Sequence, residues 1–217
     1  MTPGIEVDVE LSPQARTAPA NQVVNNLGYS IELDSAALAV GGVELVPCGA
    51  LPPGAAPFLS VAQAHTSSSP FKSGTPIVLD LLAEEKRRHH LGKLKPPPGD
   101  YCELEIHFLP ADDDATDLPV GALGETLVVS GRWVSPDGLE RAFEVVSAFE
   151  ALSTVTLFTS EGVFELDEVT QEPLVVHISI ENIFADVDFK EMGQGAVEAL
   201  IKNNILSTIV RGAGKES

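Results

Sequence analysis

Between Tyr101 and Leu109 polar and apolar residues alternate without interruption. Cys102, Leu104, Ile106 and Phe108 fall on one side, and Tyr101, Glu103, Glu105 and His107 on the other. A period of two is that of a β-strand with one buried and one wet face, and a helix cannot bury such a pattern. Shorter runs of strand character recur at 6–11, 29–33, 36–40, 43–46, 77–82, 126–134, 142–149, 154–159, 162–166 and 174–180. Turn-forming residues separate them. Gly41-Gly42 reads as a hairpin dipeptide, Pro96-Pro97-Pro98-Gly99 as a hard breaker, and Ser135-Pro136-Asp137-Gly138 as a tight turn. The pattern changes only near the end, where Val197, Leu200, Ile201, Ile205 and Ile209 are spaced as one apolar stripe of a helix over 195–210. The expected fold is therefore mainly β: an antiparallel β-sandwich, or a partly open barrel, with one C-terminal amphipathic helix.

The chain has 217 residues, 44% of them hydrophobic, which suits one core. The expected organisation is a flexible N-terminal arm over 1–26 and a single domain over 27–217. That domain carries a long Pro-, Ala- and Ser-rich loop over 47–76, a length that in a compact domain marks a functional or unstructured segment.

Charge excludes one class of partner. The 13 Lys and Arg face 32 Asp and Glu, for a formal net charge of −19. Nucleic acid is a polyanion whose binding needs a basic footprint, so no nucleic-acid partner is expected. The dense basic cluster, Lys86, Arg87, Arg88, His89 and His90 with Lys93 and Lys95 beyond it, reads as a solvated loop balancing Glu84 and Glu85.

No apolar run is long enough to span a membrane. The opening Met1-Thr2-Pro3-Gly4 runs into polar sequence with no signal peptide. The chain reads as the mature form of an extracytoplasmic protein, in the periplasm or at the cell surface, with a lipid anchor on its native N-terminus. Cys48 and Cys102 fit strand ends. They either pair, closing a loop worth about 4 kcal/mol, or stay as two buried thiols. No zinc-type spacing is present to decide between these.

Catalytic motifs are absent: there is no nucleophile elbow, no HExxH and no phosphate loop. An enzyme is not expected. Two groups of residues could hold a metal. The acidic loop bearing Asp112, Asp113, Asp114 and Asp117 offers the oxygen ligands calcium takes, and Asp186 and Asp188 would share one face of a short strand. The histidines His65, His89, His90, His107 and His177 offer imidazoles suited to copper or zinc.

Three segments carry a resemblance. The stretch 30–40 running into Val43-Glu44-Leu45-Val46-Pro47-Cys48, the strand Val78-Leu79-Asp80-Leu81-Leu82, and Pro98-Gly99-Asp100-Tyr101-Cys102 are similar to the opening strands, middle strand and "Pro-x-Gly-x-Tyr" strand entry of bacterial envelope lipoproteins. That group includes transthyretin-like and immunoglobulin-like sandwich domains and, more remotely, the copper-associated periplasmic MbnP-like proteins. The resemblance implies an extracytoplasmic β-sandwich. It places no copper ligand on Trp133 or on any particular histidine.

The leading expectation is a non-catalytic envelope binding domain for a divalent metal. One rival is a structural or adhesive sandwich that contacts another envelope protein through the 47–76 loop. Another is a carboxylate-dependent hydrolase using Asp112, Asp114, Asp186 or Asp188.

Overall fold

A computed structural model describes residues 5–13, 21–49, 72–73, 76–82, 88–157, 163–167 and 173–211. The strands are, in chain order, β1 (Val7–Pro13), β2 (Gln22–Val24), β3 (Ser30–Pro47), β4 (Lys72–Ser73), β5 (Ile77–Asp80), β6 (His89–Leu94), β7 (Gly99–Phe108), β8 (Leu127–Val134), β9 (Glu140–Ser147), β10 (Ala151–Thr156), β11 (Phe164–Leu166) and β12 (Leu174–Ile178). A one-turn helix α1 (Ile180–Ile183) and the main helix α2 (Gln194–Thr208) follow, and β13 (Val210–Arg211) closes the described chain. The architecture is mainly β, two sheets around one apolar core, with the C-terminal helix packed against them.

The smaller sheet has the order β13-β12-β1-β6. Its pairings are antiparallel except β1–β12, which is parallel. Val7, Val9 and Leu11 of β1 point into the core, while Glu6, Asp8 and Glu10 stand on the outer side. The arm expected over 1–26 is thus corrected at 7–13, which forms an inner strand, and at 22–24, which pairs with β3. Three buried apolar side chains at strand spacing outweigh the polar residues between them.

β3 organises the larger sheet. Opposite Leu38 lie Leu127 of β8 on one edge and Leu79 of β5 on the other; opposite Val40 lie Phe108 of β7 and Ile77 of β5. So β8 and β7 follow each other along one edge of β3, and β2, β5 and β4 along the other. One long strand is shared between two divergent strand pairs, β8–β9 and β7–β10, and the sheet curls.

The hairpin expected at Gly41-Gly42 does not form. The strand runs straight through both glycines, with a bulge at the handover from β8 to β7. A Cβ on Gly41 would lie 2.5 Å from Leu109 Cδ1, so this glycine serves close packing and not reversal. Three further expectations are corrected. Residues 89–94 form strand β6 and not a solvated loop; Arg88 pairs with Glu10, Lys93 with Glu6 and Asp8, and Lys95 with Glu6, on and just before β1. Tyr101 is buried, because a bulge between Val46 and Pro47 shifts the alternation. Ile180 begins a helix capped by the Ser179 hydroxyl, so it does not end the β12 strand.

The helix α2 forms where the apolar stripe places it. Val197, Ile201 and Ile205 are buried against the sheets. Polar contacts fix its pose: Ser153 Oγ donates to Leu206 O at 2.8 Å, Ser147 Oγ to Glu198 Oε1 at 2.7 Å, and Asn204 Nδ2 to Ala185 O at 2.8 Å. Among the described residues no helix is long and apolar enough to cross a membrane.

Candidate metal centre

Strand alternation puts Glu105 and His107 on the outer face of β7, two residues apart, while Leu104, Ile106 and Phe108 fill the core. On β3, Glu44 stands on the same outer face between the buried Val43 and Leu45. The β3–β7 register makes Glu44 the direct partner of Glu105 and places His107 opposite Gly42. The two glutamates and the imidazole thereby converge. His107 Nε2 lies 3.9 Å from Glu44 Oε2 and 4.0 Å from Glu105 Oε2. The side chains are 26%, 35% and 14% exposed for His107, Glu44 and Glu105, so the cluster is open to an entering ion and still held by its neighbours.

Like charges directly opposite on a sheet destabilise it by roughly 0.2–1 kcal/mol, so this site favours a cation. One protein cation is at hand, His107 when it is protonated. A divalent ion is another. Tetrahedral zinc with bonds of about 2.1 Å sets its ligand atoms roughly 3.4 Å apart. The two separations from His107, 3.9 and 4.0 Å, close to that value by movements of about half an ångström, within reach of glutamate rotamers. All three potential ligand atoms lie within 4.8 Å of one another. One imidazole and two carboxylates suit zinc or copper better than calcium, which takes six to eight oxygens.

The disulfide lies on the same strand pair. Cys48, just past β3, bonds Cys102 of β7 with a Cα–Cα distance of 4.9 Å. It ties together the two strands that carry Glu44, Glu105 and His107, which limits how far the ligands can separate. A disulfide also fits an extracytoplasmic protein, since such bonds persist in oxidising compartments.

The other expected ligands do not join this site. His65 lies outside the described residues. His89 is buried on β6, and His90 is exposed with Nδ1 3.9 Å from Asp8 Oδ1. His177 lies on β12, in register with Ser12 and Val210. Asp112, Asp113, Asp114 and Asp117 stay on the loop between β7 and β8, where Asp112 Oδ1 accepts the Asp114 N–H at 3.2 Å.

Asp186 and Asp188 do not share a strand face; they belong to the loop after α1, and Asp186 has a left-handed backbone with φ 60°. Both are engaged by the protein. Asn26 Nδ2 donates to Asp186 Oδ1 at 2.6 Å. Asp188 Oδ1 accepts from Tyr29 Oη at 2.5 Å and from the backbone N–H groups of Lys190 and Glu191 at 3.1 and 3.0 Å. These bonds, that of Tyr29 foremost, hold the Asp188 carboxyl below its ordinary range. Tyr29 precedes β3, whereas the Asp112–Asp117 loop packs beside Ala37 and Ala39. At about 3.3 Å per residue the two acidic groups are roughly 25 Å apart along β3, too far to share a ligand.

Sequence reasoning named His107 among its candidates and did not name Glu44 or Glu105, which the structure sets beside it. The alternation of β7 already set Glu105 beside His107. What it lacked was the register that brings Glu44 opposite.

No known protein family matches the chain, and no curated protein is similar to it. Among solved structures it is similar to MbnP from Methylosinus trichosporium, at 13% identity and a TM-score of 0.38, over 87% of this chain and 82% of that one. The likeness is too loose to transfer a ligand, a residue or an activity.

Proposed function

We propose that this chain is a non-catalytic, extracytoplasmic binding domain that holds a divalent transition-metal ion between β3 and β7. Glu44, Glu105 and His107 supply one oxygen, one oxygen and one nitrogen, leaving further positions on the ion for water or a partner's ligand. The observation that carries this reading is the convergence of those three side chains on adjacent strands that a disulfide ties together. The disulfide supports the compartment, and a lipid anchor on the native N-terminus would keep the domain at the envelope.

The test is titration of zinc, copper and calcium into metal-free protein, following the melting temperature. An ion at about 100 times its dissociation constant adds about 2.7 kcal/mol of stability. For a chain of this size that is a rise of several degrees. Zinc or copper should produce it at one ion per chain, calcium should not, and His107→Ala should abolish it while Asp113→Asn leaves it intact. No shift with any ion, or an equal shift in His107→Ala, would leave a ladder of protein charges as the reading and make the structural or adhesive role the better one.

A further inference from the structure

The turn between β8 and β9 carries the chain's single Asp-Gly step, Asp137-Gly138, and no Asn-Gly step occurs in the 217 residues. A glycine nitrogen after an aspartate is unusually open to reaction, because no Cβ stands beside it. That nitrogen can attack the carboxyl carbon of Asp137. The new N–C bond closes a five-membered cyclic imide, and the amide proton leaves with the carboxyl hydroxyl as water. Water then reopens the imide. Opening at the side-chain carbonyl restores aspartate. Opening at the main-chain carbonyl leaves isoaspartate, whose backbone runs through the former side chain. No reactant other than water enters, and the mass of the product equals that of the starting chain.

The folded turn engages both reacting groups elsewhere. Gly138 has a left-handed backbone, φ 87°, and its N–H donates to Ser135 O at 2.9 Å. Ser135 N–H donates in turn to Leu139 O at 2.9 Å. These are the bonds of a three-residue hairpin loop, and they occupy the amide proton that has to leave. The Asp137 carboxylate is held by two donors: its Oδ1 accepts from the Ser135 hydroxyl and its Oδ2 from Lys190 Nζ at 2.7 Å. Both donors favour the ionised carboxylate, whereas expulsion of water needs the protonated acid. Lys190 first and Ser135 second hold the group at about 2 from an ordinary 3.8, which lowers the protonated fraction at neutral pH by roughly tenfold or more. Asp137 is 60% exposed and Gly138 is exposed as well, so water reaches the turn, and its hydrogen bonds are what restrain the step.

We propose that Asp137-Gly138 is the site of spontaneous isoaspartate formation in this chain, and that Lys190 and Ser135 restrain the reaction in the folded state. Isoaspartate at 137 adds an atom to the backbone between β8 and β9 and withdraws the side chain from Lys190, which unties the loop before α2 from the turn. The site lies at the opposite end of β3 from Glu44, Glu105 and His107, so it stands or falls independently of the metal.

The test incubates the full chain at neutral pH and physiological temperature, folded and in urea. Isoaspartate is read in the peptide containing 135–139 by enzymatic methyl transfer from S-adenosylmethionine. It should accumulate about tenfold or more slowly in the folded chain than in urea. Lys190→Met should raise the folded rate by about threefold or more, and Lys190→Arg, which keeps the charged donor, should hold it near that of the unaltered chain. Lys93→Met removes an ion pair of similar length from β6, that with Glu6 at 2.6 Å, and should leave the rate unchanged. Melting temperatures of the variants check the fold. A rise that Lys190→Met and Lys93→Met share would come from general loosening and overturn the role of Lys190. Equal rates in the folded chain and in urea, no isoaspartate at 137 in urea, or its earlier appearance at another aspartate would each overturn the site.

Discussion

The two ends of β3 handle clustered acid in opposite ways. At its start, Asp186 and Asp188 accept hydrogen bonds from Asn26, Tyr29 and the backbone, and Asp137 pairs with Lys190 Nζ at 2.7 Å. Above them Tyr29, Trp133 and Phe189 pack ring to ring, with centroids 5.7–5.8 Å apart. The carboxylates there pin a loop onto an aromatic layer. At the far end, Glu44 and Glu105 are set opposite each other by strand register and turn toward an imidazole nitrogen at 3.9 and 4.0 Å. The contrast teaches that acidic density does not mark a site. What distinguishes the far end is convergence: two carboxylates and an imidazole from adjacent strands face one point, whereas at the near end the carboxylates point to separate donors.

The largest expected effect comes from releasing the far end. Cys48→Ser with Cys102→Ser opens a loop spanning a sequence separation of 54. The chain-entropy model gives a loss of about 4 kcal/mol, measurable as a lower urea midpoint. Because the disulfide ties the strands that carry the ligands, the metal-induced rise in melting temperature should shrink with it. If that rise is unchanged, the two strands hold the ligands without the covalent tie.

A smaller effect is expected at the near end. Gly131 sits opposite the bulge between Leu33 and Ser35, and a Cβ there would lie 2.1 Å from the backbone oxygen of Glu32. Gly131→Ala forces the backbone to move and should cost about 1–3 kcal/mol in denaturant unfolding. It should alter Trp133 fluorescence and leave zinc or copper binding intact. A loss of metal binding would show that the ends of β3 are coupled.

The smallest effect is in the pH profile. Asp137 is held at about 2 from an ordinary 3.8 by hydrogen bonds from Lys190 and Ser135. A carboxyl depressed in the folded state contributes stability above its unfolded value and loses it as pH falls through the folded one. Asp137→Asn should therefore flatten the decline in melting temperature between pH 3.8 and 2 and change little at neutral pH. Tyr29 works in the other direction. Burial and its bond to Asp188 raise its hydroxyl above 10, so its contribution is complete below that value and fades as pH climbs through the raised one. Tyr29→Phe should remove that alkaline loss.

The sequence by itself determined the elements whose signal is local. The alternation of 101–109 specified a strand with a wet acidic face, the Ser135-Pro136-Asp137-Gly138 turn specified the β8–β9 connection, and the stripe from Val197 to Ile205 specified α2. Each rests on a period or a backbone preference that neighbouring residues express among themselves. Tertiary structure decided the rest. Gly41-Gly42 has the composition of a turn, yet Leu109 packs against Gly41 and the strand continues. The strand character of 6–11 was local, yet only its pairing with β6 and β12 turns that part of the expected arm into an inner strand. The candidate metal centre belongs to this second group. Glu44 and His107 are separated by more than sixty residues, and only the register between β3 and β7 brings them together. Register is fixed by which apolar faces the core buries, a property of the whole fold that no short window of sequence contains.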